Sequence, residues 1–276
     1  MTATKSNLAL RLLTAAVGVP GILALLYLGP PWGFYVLVLP ATLVGCWELF
    51  AMTHPGDRVA QGFGVAVSAA VSLAIYAFGL HDARVLLTVL VVVPAIGPVF
   101  TLVRLGDIHT AALRSFALGF GPLFVAAPLT LLAMMRRDFG DRGPGLVVMS
   151  LMFAWWGDTG GYFAGRFLGK TKLYEAVSPH KTVEGALGGL AGSISAALLA
   201  SFWYLRQIPV SHSVPLAVVA AVLGQAGDLG ESLIKRSTGV KDSGAIVPGH
   251  GGILDRVDAL LMTTSTVYFY AIWFPA

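Results

Sequence analysis

The clearest indication of the fold is a stretch without any charged residue, residues 85–103, which read VLLTVLVVVPAIGPVFTLV. A helix needs about 20 mostly apolar residues to cross the hydrocarbon core of a bilayer, whereas the strands of a membrane barrel show short alternating runs. Eight further stretches resemble this one, at 12–29, 34–53, 62–80, 111–135, 146–165, 186–205, 214–236 and 256–274. The sequence therefore predicts an all-α, polytopic integral membrane bundle of about nine transmembrane helices.

The composition agrees with a chain that lies mostly in lipid. Hydrophobic residues make up 56% of the 276 residues and charged residues only 12%, whereas an average soluble protein has about 25% charged residues. Nine helices with short loops use up the chain, so we expect a single membrane domain over 1–276. The single cysteine, Cys46, excludes an internal disulfide, and no Cys/His cluster indicates structural zinc.

The charged residues are concentrated in the second half of the chain. Only 10 of the 32 lie in residues 1–135, so we expect that part to be mostly scaffold helices and residues 136–276 to carry the functional helices and loops. Lys5 and Arg11 precede the first apolar run, but no clear cleavage site follows, so we expect a retained first helix. A cytoplasmic N-terminus puts most lysines and arginines on the inner side.

The first polar segment interrupts an apolar run and reads Trp156-Gly-Asp-Thr-Gly-Gly-Tyr162. An ionised carboxylate at mid-membrane depth costs at least about 2.5 kcal/mol, so we predict that Asp158 lines a site. The alternative is a packing role in which it pairs with Arg166. The following Gly165-Arg-Phe-Leu-Gly-Lys-Thr171 is not a P-loop, because that motif needs four residues between its glycines and has a strand before it.

A second polar segment, Ser178-Pro-His-Lys-Thr182, precedes the next apolar run. Ser followed by Pro is typical of a helix N-cap and first helical position, and a helix N-terminus beside a lysine attracts anions. We therefore predict that Ser178, Lys181 and Thr182 bind phosphate, the alternative for Ser178 being simple capping.

Other features have structural interpretations. Glycines 185, 188, 189 and 192 form small-xxx-small patterns, which allow close helix packing, and we favour packing inside the bundle over a dimer interface. Glu48 and Arg114 lie near helix ends, where ion pairing or snorkelling is usual.

The stretch with the most charged and polar residues is 224–258. If the helix over 214–236 is continuous, one of its faces carries Asp228, Glu231, Ser232 and Lys235. Asp255 and Asp258 share a face of the next helix. A divalent cation would offset the repulsion between such carboxylates and a phosphate, and hard oxygen ligands suit Mg²⁺. The alternative is a salt-bridged rim at the helix ends.

This stretch also resembles the signature of the phosphatidate cytidylyltransferases, or CDP-diacylglycerol synthases. The pattern runs Ser232-x-x-Lys235-Arg236-x-x-x-x-Lys241-Asp242 and continues through His250-Gly251-Gly252-x-x-Asp255-Arg256-x-Asp258. The resemblance is strongest over about 150–262 and includes the two earlier polar segments. It implies a membrane homodimer that joins CTP to phosphatidic acid, giving CDP-diacylglycerol and pyrophosphate, with Mg²⁺ and a second, monovalent cation such as K⁺.

The resemblance implies a role for each matching position. Asp228 and Asp255 would be the main metal ligands, with Asp258 a weaker third, and Lys235 and Lys241 would complete the catalytic set. The remaining positions would bind substrate: Asp158, Ser178, Lys181, Thr182, Ser232, Arg236, Asp242, His250, Gly251, Gly252 and Arg256. We assign no general base to His250, because a phosphate monoester loses its second proton at about pH 6.

These expectations define the partners and the competing functions. The partners would be CTP, phosphatidic acid, the bilayer and a second copy of the chain, in a bacterial inner membrane with the site facing the cytoplasm and without nucleic acid. The alternatives are an ion-coupled carrier, for which we find no corresponding halves, a CTP-using lipid kinase, and a CDP-alcohol phosphotransferase, whose spaced Asp-Gly…Asp…Asp pattern we do not find. The proposed chemistry requires Asp228 and Asp255 to line a common cavity.

Overall fold

The computed structural model describes residues 18–79, 81–244 and 251–274. These ranges form a helical bundle of ten α-helices. The helices are α1 (Gly18–Leu28), α2 (Pro31–Thr53), α3 (Arg58–Phe78), α4 (Ala83–Val103), α5 (Ile108–Gly121), α6 (Ala127–Asp138), α7 (Gly143–Leu168), α8 (Val183–Leu199), α9 (Val210–Ser237) and α10 (Leu254–Trp273).

Two of these helices continue through π turns, and one connection is a hairpin. The π turn Pro122–Ala126 joins α5 to α6, and it begins at a proline, which has no N–H to donate to the helical ladder. A second π turn, Ala200–Tyr204, extends α8. Strands β1 (Lys172–Tyr174) and β2 (Ser178–Thr182) pair antiparallel between α7 and α8.

The predicted membrane bundle is confirmed in its helical character, but the number nine is not confirmed. In the described ranges, six helical passages are long and apolar enough to cross a bilayer: α2, α3, α4, the α5–α6 passage, α8 with its π turn, and α9. Only an 11-residue part of the first predicted segment, α1, is described. The segments α7 and α10 are 26 and 20 residues long, but they contain the charged residues of the predicted site, which lower their mean hydropathy.

The packed core and the outer surface are both apolar. Phe50 of α2, Met134 of α6 and Leu261 of α10 are fully buried, while Leu90 and Val103 of α4 are largely exposed. A helix that is apolar on all sides is typical of a membrane span. The outward-facing side chains therefore present the surface that a lipid environment requires.

Helices α7 and α8 pack closely through glycines, as the small-xxx-small pattern predicts. A Cβ atom at Gly188 would lie only 2.7 Å from the carbonyl oxygen of Gly160, and one at Gly192 would lie 2.7 Å from that of Trp156. Side chains larger than hydrogen would therefore push the two backbones apart. The prediction that these glycines serve packing inside the bundle is confirmed.

The start of α8 differs from the prediction. Ser178 and Pro179 lie on β2 instead of capping the helix, and Thr182 is the N-cap, with its Oγ1 accepting the N–H of Gly185 at 3.1 Å. The fixed φ of proline suits an extended edge strand as well as a first helical turn. The alternative interpretation of Ser178 as a helix cap is therefore wrong, because Thr182 caps the helix.

We expect Gly188→Ala to lower the midpoint of thermal unfolding in detergent, because the added Cβ meets both the Gly160 carbonyl and the Ala164 side chain. Overpacking of this kind costs about 1–3 kcal/mol. Gly62→Ala on α3 is the matched control, since a Cβ there meets no atom within 4 Å. Equal midpoints for the two variants would contradict the packing assignment.

Candidate active site

A cavity of about 500 Å³ lies among α7, α8, α9, α10 and strand β2. Its α7 wall runs from Phe153 to Arg166, which is roughly 20 Å at 1.5 Å per helical residue. The deep end is walled by apolar and small residues, among them Phe153, Ala154, Ala220 and Ala221. The other end is polar and carries Asp158, Arg166, Ser178, His180, Lys181, Thr182 and Asp228. The cavity therefore joins a polar mouth to an apolar interior.

The central contact of the polar end is an ion pair between Lys181 Nζ and Asp228 Oδ2. The capped start of α8 fixes Lys181, which directly precedes the N-cap, and α9 supplies Asp228. Both side chains are about a quarter exposed, 28% and 25%, so each still faces the cavity. A lysine and a carboxylate are thus both available to a ligand at this point.

Asp158 faces the same region from α7. It interacts electrostatically with Asp228 and Lys181, and with Arg256 of α10. The Nη1 group of Arg166 instead donates to the hydroxyl of Tyr162 at 2.5 Å. The structure thus favours the predicted site-lining role of Asp158 over the alternative pairing with Arg166.

A buried acidic cluster lies next to the ion pair, on α9 and α10. Glu231 is completely buried, and within the described ranges neither of its carboxylate oxygens has a donor with hydrogen-bond geometry, although Lys235 Nζ is 3.2 Å from Oε1. Asp258 interacts electrostatically with Asp228, Glu231 and Asp158. Four carboxylates from α7, α9 and α10 therefore share a small region with incomplete compensation.

Asp255 belongs to a different set of contacts. Its Oδ1 accepts from Lys235 Nζ at 2.6 Å. Its Oδ2 accepts the N–H of Ser243 at 2.9 Å, the hydroxyl of Ser243 at 2.8 Å and the N–H of Gly252 at 3.0 Å. Both oxygens of Asp255 are therefore occupied by donors of the protein itself.

The expectation that Asp228 and Asp255 line a common cavity is not met. Asp228 lies on the cavity wall, whereas Asp255 is not among the lining residues. The physical reason is that Asp255, in the first turn of α10, is held by the backbone around its own helix start and by Lys235. Asp258 of α10, which is likewise not among the lining residues, interacts electrostatically with Asp228.

The donor chemistry of the acidic cluster fits Mg²⁺, although the cluster is not a complete site. In the described part of the chain, no group of three or more His, Cys, Asp or Glu side chains is arranged to hold a metal ion. Mg²⁺ usually takes one or two carboxylates and completes its shell with waters and substrate phosphates. Asp228 and Asp258, together with the buried carboxylate of Glu231, which shares Lys235 with Asp255, satisfy that requirement in charge and donor type.

The remaining residues of the predicted signature lie on α9 and in the segment that follows it. Arg236 donates from Nη1 to the carbonyl of Val240 at 3.0 Å and from Nε to that of Val177 at 3.4 Å, which links the end of α9 to the hairpin turn. Ser232 is buried on α9. Lys241 and Asp242 are exposed.

Steric constraints explain why the signature has glycine at positions 251 and 252. Gly251 has φ of +81°, where a side chain would be strained. A Cβ at Gly252 would lie 2.0 Å from Ser243 Oγ and 2.6 Å from an oxygen of Glu48. His250 lies outside the described residues.

Sequence reasoning missed several residues that the fold brings to the site. His180 and Gln225 line the cavity, and Gln225 Nε2 also donates to the carbonyl of Ala186 at 3.1 Å. His180 stands inside the quoted second polar segment, so its position beside Lys181 was a usable signal. Glu48, which we expected to pair or snorkel, is buried and bonds to the start of α10. No local pattern indicates that contact, because its partners lie 205 and 206 residues away.

Comparison with known proteins gives the family. Residues 9–274 match the sequence profile of the Cytidylyltransferase family. This chain belongs to that family. The predicted resemblance is confirmed at this level, and three similar bacterial proteins named phosphatidate cytidylyltransferase agree with it.

The similar protein of Synechocystis sp. is 45% identical over 132 residues, which cover 46% of this cytidylyltransferase-family chain and 44% of the relative. Those of Bacillus subtilis and Brucella suis are 42% identical over 135 and 134 residues, each covering 48% of this chain and 49% of the relative. The matches span about half the length of these relatives. They support the family, while activity and substrates are matters for a proposal.

A double-mutant cycle on Lys181→Met and Asp228→Asn tests the ion pair in this cytidylyltransferase-family chain. Lys181→Met alone leaves Asp228 uncompensated beside Asp158, so we expect it to destabilise the fold more than the double variant does. Coupling between residues in contact is roughly 0.5–3 kcal/mol. The measurement is the free energy of unfolding in detergent. Additive effects of the two substitutions would contradict the pairing.

Proposed function

We propose that this chain transfers the cytidylyl group of CTP to phosphatidic acid, giving CDP-diacylglycerol and pyrophosphate. The observation that carries the proposal is a cavity with cations and carboxylates at its polar end and an apolar interior between helices. Such a cavity suits a reaction between a water-soluble triphosphate and a lipid phosphate. The names of the similar bacterial proteins support the same reaction.

The polar end would bind the phosphates of both substrates. Each substrate is an anion, so bringing the lipid phosphate to the α-phosphorus of CTP requires charge neutralisation, and positioning with electrostatic stabilisation dominates phosphoryl-group chemistry. Lys181 and Arg166 lie on the cavity wall, and Arg256 interacts with Asp158 beside it. Ser178, His180 and Thr182 add polar groups on β2 next to Lys181.

The reaction needs few proton transfers from the protein. An oxygen of the lipid phosphate forms the new bond to the α-phosphorus, and the bond between that phosphorus and the bridging oxygen to the β-phosphorus breaks, with its electron pair leaving on pyrophosphate. The lipid phosphate is already largely dianionic above about pH 6, so no general base is required. Lys235, Arg236, Lys241 and Arg256 would offset the charge of the departing pyrophosphate.

Asp228 and Asp258 are the residues that we propose would hold Mg²⁺. When bound, the ion would offset the negative charge on the phosphate oxygens and help to orient them. Asp255, the other aspartate that the resemblance implies as a ligand, would act on the reaction through Lys235, since both of its oxygens are hydrogen bonded. A monovalent cation such as K⁺ remains a proposal from the resemblance alone.

The cellular setting that we propose follows from the substrates. CTP is a cytoplasmic metabolite, so the polar end of the cavity would face the cytoplasm from a bacterial inner membrane. The resemblance adds a homodimer and a single membrane domain of about nine helices. The six passages that are long and apolar enough to cross a bilayer support the membrane location.

We expect purified protein in phosphatidic acid vesicles with Mg²⁺ and α-labelled CTP to yield labelled CDP-diacylglycerol and one equivalent of pyrophosphate. Thin-layer chromatography of the lipid and a coupled pyrophosphate assay measure the two products. Omitting phosphatidic acid is the control and is expected to remove both. Transfer of a terminal phosphate to the lipid, or no product from folded protein, would contradict the proposal.

Single substitutions distinguish the proposed Mg²⁺ ligands, Asp228 and Asp258, from Asp255, which would act through Lys235. We expect Asp228→Asn and Asp258→Asn to lower turnover and to raise the Mg²⁺ concentration required for half-maximal activity. Asp255→Asn is expected to lower turnover about 10–100-fold, the usual effect of an indirect partner, with the Mg²⁺ requirement unchanged. Asp82→Asn, at the exposed start of α4, is the matched control. A raised Mg²⁺ requirement for Asp255→Asn alone would reverse our assignment.

A further inference from the structure

Glu48 is a buried carboxylate in the half of the chain that the sequence assigns to scaffold. It lies on α2 with 2% of its surface exposed. Its Oε1 accepts the N–H of Ile253 at 3.1 Å, and its Oε2 accepts the N–H of Leu254 at 2.8 Å and contacts the hydroxyl of Ser243 at 3.2 Å. The donors come from the start of α10 and the segment before it, which carry the signature residues.

The N-cap residue of α10 does not cap the helix with its own side chain. That residue, Ile253, has helical φ and ψ of −65° and −41° and no side-chain capping bond. The first N–H groups of a helix lack intrahelical partners and must find others. Here Ile253 and Leu254 donate to Glu48, Asp255 donates to Ser243 Oγ at 3.3 Å, and Arg256 donates to the Ile253 carbonyl at 2.9 Å. Two of these four N–H groups therefore depend on a side chain of another helix.

Ser243 connects this cap to the ion pair between Asp255 and Lys235. Its hydroxyl oxygen lies 2.8 Å from Asp255 Oδ2 and 3.2 Å from Glu48 Oε2, so the shorter contact is the one with Asp255. Asp255 in turn accepts from Lys235 Nζ on its other oxygen. A continuous chain of contacts therefore leads from Glu48 through Ser243 and Asp255 to Lys235.

The packing around Glu48 leaves it little freedom. A Cβ at Gly244 would lie 2.5 Å from Glu48 Oε1, and one at Gly252 would lie 2.6 Å from Oε2. The two glycines before α10 therefore leave no room for a side chain beside the carboxylate. Moving the carboxylate would move the backbone on which Ser243 and Asp255 are fixed.

We infer that Glu48 is a positioning residue for the reaction, which caps α10 from α2 and thereby orients Asp255 and its ion pair with Lys235. The part that concerns catalysis rests on the proposed function, whereas the part that concerns the start of α10 does not. Glutamine has the shape of glutamate but replaces one acceptor oxygen with an NH₂ group. In Glu48→Gln at least one N–H or hydroxyl donor therefore loses its acceptor, without a cavity being created.

The experiment compares Glu48→Gln with Thr42→Ala in two measurements. Thr42 is fully buried on the same helix, and its hydroxyl donates only to the Val38 carbonyl, one turn away. We expect Glu48→Gln to speed amide hydrogen exchange at residues 253–255 about tenfold and to lower kcat about 10–100-fold, with KM for CTP near its original value. Thr42→Ala is expected to change the unfolding midpoint only.

Each outcome decides the inference. A Glu48→Gln protein with unchanged kcat, or with lowered kcat and unchanged exchange, overturns it. If that variant does not fold, Gly244→Ala replaces it, because its Cβ displaces the carboxylate without removing the charge, and Gly62→Ala is its control. Original values for Gly244→Ala in both measurements would again overturn the inference. If the unmodified protein makes no CDP-diacylglycerol, the proposed function fails, and exchange at residues 253–255 alone still decides whether Glu48 caps α10.

Discussion

The site depends on the cost of keeping several carboxylates inside an apolar helical bundle. A buried charge is stable only when other groups compensate it, and here Lys181 compensates Asp228 while Lys235 compensates Asp255. Glu231 and Asp258 have less compensation, because Lys235 is shared and the Glu231 oxygens lack hydrogen-bond donors in the described ranges. The excess negative charge between α9 and α10 would attract a cation. That cation would in turn offset the negative charge of a bound phosphate.

Local backbone features put these compensating groups in place. The glycine contacts between α7 and α8 bring the two helices close enough for Asp158 on α7 and Lys181, just before α8, to face each other. The hairpin and the Thr182 cap then fix the direction in which α8 starts. Arg236 bonds to the hairpin turn from the end of α9. The geometry of the polar end of the cavity thus follows from the glycine contacts between α7 and α8, the Thr182 cap of α8 and the hydrogen bonds of Arg236.

Hydropathy predicted the positions of the helices well, because apolar run length is a local property. The spacing of Asp228, Glu231 and Lys235 likewise predicted a shared face of α9. The hairpin escaped prediction because Ser178-Pro179 suits a strand as well as a helix start. The hydrogen bonds of Asp255 to Lys235, Ser243 and Gly252 also escaped prediction, because no local pattern in the sequence indicates them.

Burial also explains why a residue of the front half, which the sequence assigns to scaffold, contacts the functional half. A helix that starts in water can leave its first N–H groups to solvent, but the start of α10 is buried against α2, where each donor needs a protein acceptor. Glu48 supplies two of those acceptors. Because the same first turn carries Asp255, the acceptor cannot be lost without loosening a residue that holds Lys235. The front half therefore contributes to the site through one carboxylate, even though it contains few other charges.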